Sequence, residues 1–157
     1  MSLRISGALR AAAVLVAFLP LRLSAQAVSS SPAGLWHTID DATGKPRAEI
    51  RISVAGDQLT GTVVRSLVPG EEGDKLCDKC PGARHNQPLI GMAILTGLRR
   101  DRENPLLWTG GEVLDPDVGK VYKAKVEVAR DGKSLKMRGF LGVAMLGRTQ
   151  VWKRAGE

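Results

Sequence analysis

The sequence predicts a single all-β domain, an antiparallel up-and-down meander of about eight short strands. Three observations predict it: apolar and polar residues alternate in short runs between turn signals, no stretch beyond the N-terminal segment holds a helical period, and 18 Gly and 8 Pro are spread singly through the chain. The 157 residues, 43% hydrophobic and 25% charged, suit one globular domain. They exclude a multidomain enzyme, a collagenous chain and a disordered one.

The first strand is Gly34 to Asp40, and Asp41-Ala42-Thr43-Gly44-Lys45-Pro46 turns it into the second. There Ala48, Ile50, Ile52 and Val54 alternate with Arg47, Glu49, Arg51 and Ser53, one dry face and one wet face. Gly56-Asp57 closes that hairpin, and Gln58 to Val68 is the third strand, with Gly61 marking a bulge or bend. Residues 69–88 lose the pattern and form one long loop rich in Gly, Pro and charge. Leu89 to Leu98 is an almost wholly apolar fourth strand, and Pro105 to Asp115 is the fifth. Between them Arg99, Arg100 and Arg102, interleaved with Asp101 and Glu103, read as a polar turn, with contact to anionic lipid or polysaccharide as the alternative. Pro116-Asp117-Val118-Gly119 leads to the sixth strand, Lys120 to Ala129, whose Tyr122, Ala124, Val126 and Val128 face inward. Asp131-Gly132 turns into Ser134 to Leu141, and a small apolar connection, Gly142 to Leu146, precedes the last strand, Arg148 to Lys153.

The N-terminus reads as a secretory signal. Arg4 and Arg10 precede the apolar run Ala11 to Leu19, then Pro20, and Ala25-Gln26-Ala27 supplies the small residues of a cleavage site. The run is shorter than the about 20 residues that span a bilayer, so a retained anchor is the lesser alternative and no transmembrane anchor is expected after cleavage. No Cys near the site suggests a lipoprotein. Residues 1–27 are therefore the expected leader, 28–33 a flexible lead-in, and 34–154 the domain, destined for the periplasm or the extracellular space. Loss of Arg4, Arg10 and Arg22 lowers the formal charge from +7 to +4. Nucleic acid is not an expected partner, because the remaining bases alternate along strands as on a solvated face.

About eight strands can bury their inner faces as a sandwich or as a closed barrel, and closure removes the exposed edges. Gly34-Leu35-Trp36 on the first strand, with Arg148 or Arg154 on the last, resembles the signature of lipocalin and streptavidin-like (calycin) barrels. In those barrels a first-strand Trp plugs one end and a basic residue from the last strand covers its ring. The resemblance implies a barrel floor made of Gly34, Trp36 and Arg148 or Arg154. A guanidinium over an indole adds cation–π attraction. Gly34-Leu35-Trp36 with Thr38-Ile39-Asp40-Asp41 and Thr43-Gly44-Lys45-Pro46, Cys77-Asp78-Lys79-Cys80-Pro81-Gly82, Ile90-Gly91-Met92 and Leu146-Gly147-Arg148-Thr149-Gln150-Val151-Trp152 are together similar to domain-of-unknown-function family 2147, small exported bacterial proteins. That resemblance spans about Gly34 to Lys153 and implies a lipocalin-like barrel of the bacterial envelope, with neither a reaction nor catalytic residues.

Cys77 and Cys80 are the sharpest chemical feature. In an oxidising compartment they read as a local disulfide that stiffens the loop, closing too small a ring to gain much chain entropy. A redox-active Cys77 needs exposure and a helix N-terminus, and Pro81-Gly82 cuts such a helix short. A metal site of Cys77, Cys80 and His85, with Glu72, Asp74 or Asp78 as fourth ligand, is the weakest reading. His37, beside Trp36, points to the opposite face and reads as a surface or rim residue. No nucleophile elbow, phosphate loop or His-Glu-x-x-His is present, and Asp115-Pro116-Asp117 with Gly119 is turn chemistry. No catalytic residue and no cofactor is assigned.

The function expected is a binding module for a small, mostly apolar or lipid-like molecule, with Ile90, Met92, Ile94, Trp108, Tyr122 and Phe140 as candidate contacts and the long loop covering the mouth. A second class is an envelope interaction or chaperone-like protein that holds a partner protein through the Cys loop and a strand edge. A thiol oxidoreductase is the third.

Overall fold

The computed structural model describes residues 30–71, 73 and 75–156. The expected leader 1–27 lies outside the described residues, as do Glu72 and Asp74 of the long loop. Eight strands follow in chain order: β1 (Gly34–Ile39), β2 (Pro46–Ala55), β3 (Gln58–Ser66), β4 (Ala93–Arg100), β5 (Leu107–Asp115), β6 (Lys120–Val128), β7 (Ser134–Phe140) and β8 (Gly147–Arg154). Each pairs antiparallel with the next. The last returns to the first, with Trp36 opposite Arg154 and His37 opposite Lys153, so the sheet is a closed up-and-down barrel. Closure satisfies the edge groups that an open sheet would leave for another chain.

Local chemistry explains the turns. Asp40 accepts hydrogen bonds from the backbone N–H groups of Ala42 and Thr43 and from the Thr43 hydroxyl, at 3.1, 2.8 and 2.9 Å, which bends β1 back towards β2. Those donors, Thr43 first, hold the Asp40 carboxyl below its ordinary value. This turn, the long loop 67–92 and the connections at 116–119 and 141–146 all lie at one end of the barrel, hereafter the mouth. The opposite, closed end carries the other hairpins and Ser31 to Ala33.

Three strand expectations shift. β4 begins at Ala93 rather than Leu89, because Leu89 to Met92 makes a turn in which Met92 N–H bonds Leu89 O at 3.0 Å and Gly91 N–H bonds Val63 O at 2.8 Å. At its far end β4 runs on through Arg99 and Arg100, so the expected polar turn is only partly a turn. Arg99 pairs with Asp57 at 2.9 Å, and the Arg100 guanidinium stacks 5.0 Å from the Trp108 ring centroid. The third departure is Glu49, which has wet-face parity on β2 yet is only 6% exposed.

Glu49 is buried under its outer-face neighbours. Arg65, directly opposite on β3, donates to both carboxylate oxygens at 3.2 Å, and His37 on β1 lies 3.1 Å away, donating if Nε2 carries the proton. The Arg65 hydrogen bonds outweigh the cost of burial and hold the Glu49 carboxyl below its ordinary value of 4.5. A depressed acid stabilises the fold fully above its unfolded value, and the contribution fades as pH falls through the lower folded one. Glu49→Gln should therefore cost about 1–2 kcal/mol at neutral pH, reduced because Arg65 is mostly solvated. Urea titrations should show that gap closing below pH 4.5; a gap independent of pH would contradict the assignment.

Candidate functional site

The closed end is built around Trp36, which is 0% exposed. Its Nε1–H donates to Pro32 O at 2.8 Å, and the Arg154 guanidinium lies 4.3 Å from the ring centroid. Arg154 also donates to Gly132 O, Ala33 O and Ser31 O at 2.6, 3.0 and 2.7 Å, tying the lead-in, the β6–β7 turn and β8 into one plate. The carbonyls of Ser31, Pro32 and Ala33, in the expected lead-in 28–33, thus accept hydrogen bonds from the barrel, and residues 28 and 29 lie outside the described residues. Gly34 has a direct reason to be glycine: its φ is +136°, and a Cβ there would sit 2.7 Å from the Arg154 guanidinium.

Arg148 is not part of this plate. It stands at the first turn of β8, at the mouth, where its Nε donates to Asp41 at 2.9 Å. Asp41 beside it, with Asp115 and Asp40 near, holds the guanidinium still more firmly protonated. The reason for the correction is height: Arg148 and Arg154 share the inward parity of β8, but six residues of strand separate them by about 20 Å.

Between floor and mouth the interior holds a cavity of about 390 Å³. Its walls are apolar, formed by Ile50, Val63, Ile94, Val113, Met137 and Trp152. Its rim is charged. Arg47 pairs with Asp117 at 2.6 Å, Lys75 reaches the same carboxylate at 3.9 Å, and Arg148 faces Asp41. Inside, Gln150 is a polar handle, its Oε1 accepting from Trp152 Nε1 at 3.4 Å.

Of the expected contacts, Ile90, Ile94, Tyr122 and Phe140 line the cavity. Met92 and Trp108 do not. Met92 is buried where β3 meets the loop, its carbonyl accepting from Val63 N–H at 3.0 Å. Trp108 is wholly buried towards the closed end beneath Arg100. Met137, Gln150 and Val113 were missed as lining residues, although the inward parity of Met137 on β7 and Gln150 on β8 was readable; for Val113 an irregularity between Trp108 and Gly111 breaks the alternation.

The long loop folds against the β5–β6 turn at the rim. Cys77 and Cys80 form a disulfide, both almost fully buried, and Lys79 Nζ donates to Asp117 O at 2.9 Å. The redox reading required an exposed Cys77 at a helix N-terminus, but Cys77 is 1% exposed and the one helical turn among the described residues of the loop, Gly82–Arg84, begins after both cysteines. Oxidised sulfurs are not thiolate ligands, and His85 serves to close that 3₁₀ turn through its N–H to Gly82 O at 3.1 Å. Among the described residues no group of three or more His, Cys, Asp or Glu gathers as a metal site. β1 and β8 pair at Trp36–Arg154 and His37–Lys153, which takes up that part of the strand edge.

A closed eight-stranded antiparallel barrel with a Trp–Arg floor and one apolar cavity defines a lipocalin-like barrel. The chain belongs to the family described as an uncharacterised protein conserved in bacteria (DUF2147), whose model matches residues 34–154. Among solved structures it is similar to protein HP1028 from Helicobacter pylori, described as belonging to the lipocalin family, with 17% identity and a TM-score of 0.70 over 82% of this chain and 86% of that one. No curated protein matches the sequence. At that identity the neighbour speaks for the fold alone.

Proposed function

We propose that the chain is an exported carrier or sensor that takes one small, mostly apolar or lipid-like molecule into its barrel. The observation that carries this reading is the cavity of about 390 Å³, apolar on its walls and charged only at its rim. Its size falls in the about 300–1,000 Å³ of small-molecule sites, and burial of apolar surface there supplies the affinity. The Gln150 amide and the rim charges would orient a polar end towards the mouth. No reaction is assigned. Export is supported by Arg4 and Arg10 before Ala11 to Leu19 and by Ala25-Gln26-Ala27, and N-terminal sequencing of the protein released by its cells tests it.

The binding test is a fluorescence titration with the apolar probe N-phenyl-1-naphthylamine. Met137→Trp would place a bulky ring in the cavity, which has room for it, and should weaken the probe by at least about tenfold with the barrel intact by circular dichroism. Equal binding by wild type and variant would remove the cavity as the site.

A further inference from the structure

The connection between β7 and β8 is an apolar tip held out into solvent. Val143, Met145 and Leu146 are 61%, 88% and 72% exposed, with Leu141 beside them at 60%. Single exposed apolar side chains are ordinary, but four within six residues make a patch. The tip is also braced. Arg138, on the outer face of β7, donates to Ala144 O at 2.7 Å, Met145 O at 3.1 Å and Thr149 Oγ1 at 2.7 Å, and Leu146 N–H bonds Val143 O at 3.1 Å. The backbone of the loop is thus tied inward while its apolar side chains face out.

The wall below the tip is basic. Outward positions of β6 and β7 carry Lys123, Lys125, Lys136 and Arg138, of which Lys123 pairs with Glu112 of β5 at 3.1 Å and Lys136 stands opposite Glu127, while Lys153 of β8 lies at the closed end. Lys125 stands directly opposite Arg138, a like-charge cross-strand pair that destabilises a sheet unless an anion lies over it. Lys123 is opposite Phe140, one row nearer the tip.

An apolar tip contiguous with a basic wall matches the two components of an anionic bilayer surface, acyl chains below phosphate headgroups. We propose that the mouth end of the barrel docks peripherally on anionic lipid bilayers. Val143, Met145 and Leu146 enter the headgroup–acyl boundary, and Lys125, Arg138 and their neighbours lie against the headgroups. No helix among the described residues is long and apolar enough to cross a membrane. Leu141 and Leu146 also line the cavity mouth, so docking would bring the cavity to the lipid. The inference goes beyond cargo binding and stands without it.

The test attaches an environment-sensitive nitrobenzoxadiazole label to Met145→Cys in the full chain, the native cysteines being occupied in their disulfide. The control carries the label at Asp131→Cys, in the turn at the closed end. With vesicles of equal parts phosphatidylcholine and phosphatidylglycerol, the Met145 label should shift to the blue and brighten while the Asp131 label stays unchanged. Lys125→Gln with Lys136→Gln should weaken this response roughly thirty-fold, and added salt should weaken it further. No shift at Met145 would overturn the proposal, as would an equal response to phosphatidylcholine alone. A larger shift at Asp131 would also overturn it, showing attachment through the closed end.

Discussion

Trp36→Ala should lower the unfolding free energy by about 3–5 kcal/mol, the cost of deleting a fully buried aromatic ring. The loss has three parts at one position. The ring fills the closed end with no exposed surface, its N–H is satisfied by Pro32 O, and its face receives Arg154. Without the ring, Arg154 keeps its three carbonyl partners but loses the surface that fixes its plane, and a void opens in the buried core to which Trp36 belongs. The surrounding β-barrel cannot collapse to fill it, because its circumference is set by eight strands. Urea denaturation of wild type and variant checks the value; an unchanged midpoint would contradict the placement of Trp36 as the floor.

Gly111→Val should cost about 3 kcal/mol, the upper end of what overpacking does. At Gly111 a Cβ would stand 2.4 Å from Thr96 O and 2.5 Å from Leu98 N. Both are backbone atoms of the neighbouring strand, so no rotamer change relieves the clash. Gly97 faces the same crossing, with its own Cβ position 3.7 Å from the Gly111 Cα. β4 and β5 must separate to admit a side chain, and fully buried Leu98 and Trp108 would be unseated with them. Amide hydrogen exchange should show the loss concentrated in β4 and β5. Wild-type stability in this variant would mean that the two strands are not in such close contact.

The strands and their alternating faces were legible because period two survives in short runs such as Tyr122 to Val128, and the closed barrel because Gly34-Leu35-Trp36 with a last-strand Arg resembles the calycin signature. What alternation cannot supply is depth. It places Arg148 and Arg154 on one face of β8 without saying which end each occupies, and it would put Trp108 and Val113, five residues apart, on opposite faces, whereas an irregularity between Trp108 and Gly111 buries both. The height of Arg154 is set by its pairing opposite Trp36, a contact between the two ends of the domain. Loop packing is equally hidden: Leu89 to Met92 is apolar because it seals the rim, and apolarity alone makes it look like strand. Glu49 shows the same limit on the outer face, where Arg65 and His37 bury a residue whose parity predicts exposure. Whether the interior is hollow depends on how side-chain volumes meet across the barrel, with Gly139, Gln150 and Met137 arriving from adjacent strands. No one-dimensional pattern contains that sum.

The central claim is that this hollow holds a cargo, and native mass spectrometry of the protein purified from its own cells tests it most directly. Spectra would be recorded before and after organic extraction, for wild type and Met137→Trp. The cavity predicts a reproducible additional mass on the wild-type chain, removed by extraction and diminished in the variant. A bare chain in every spectrum, together with no saturable binding of the apolar probe, would contradict it.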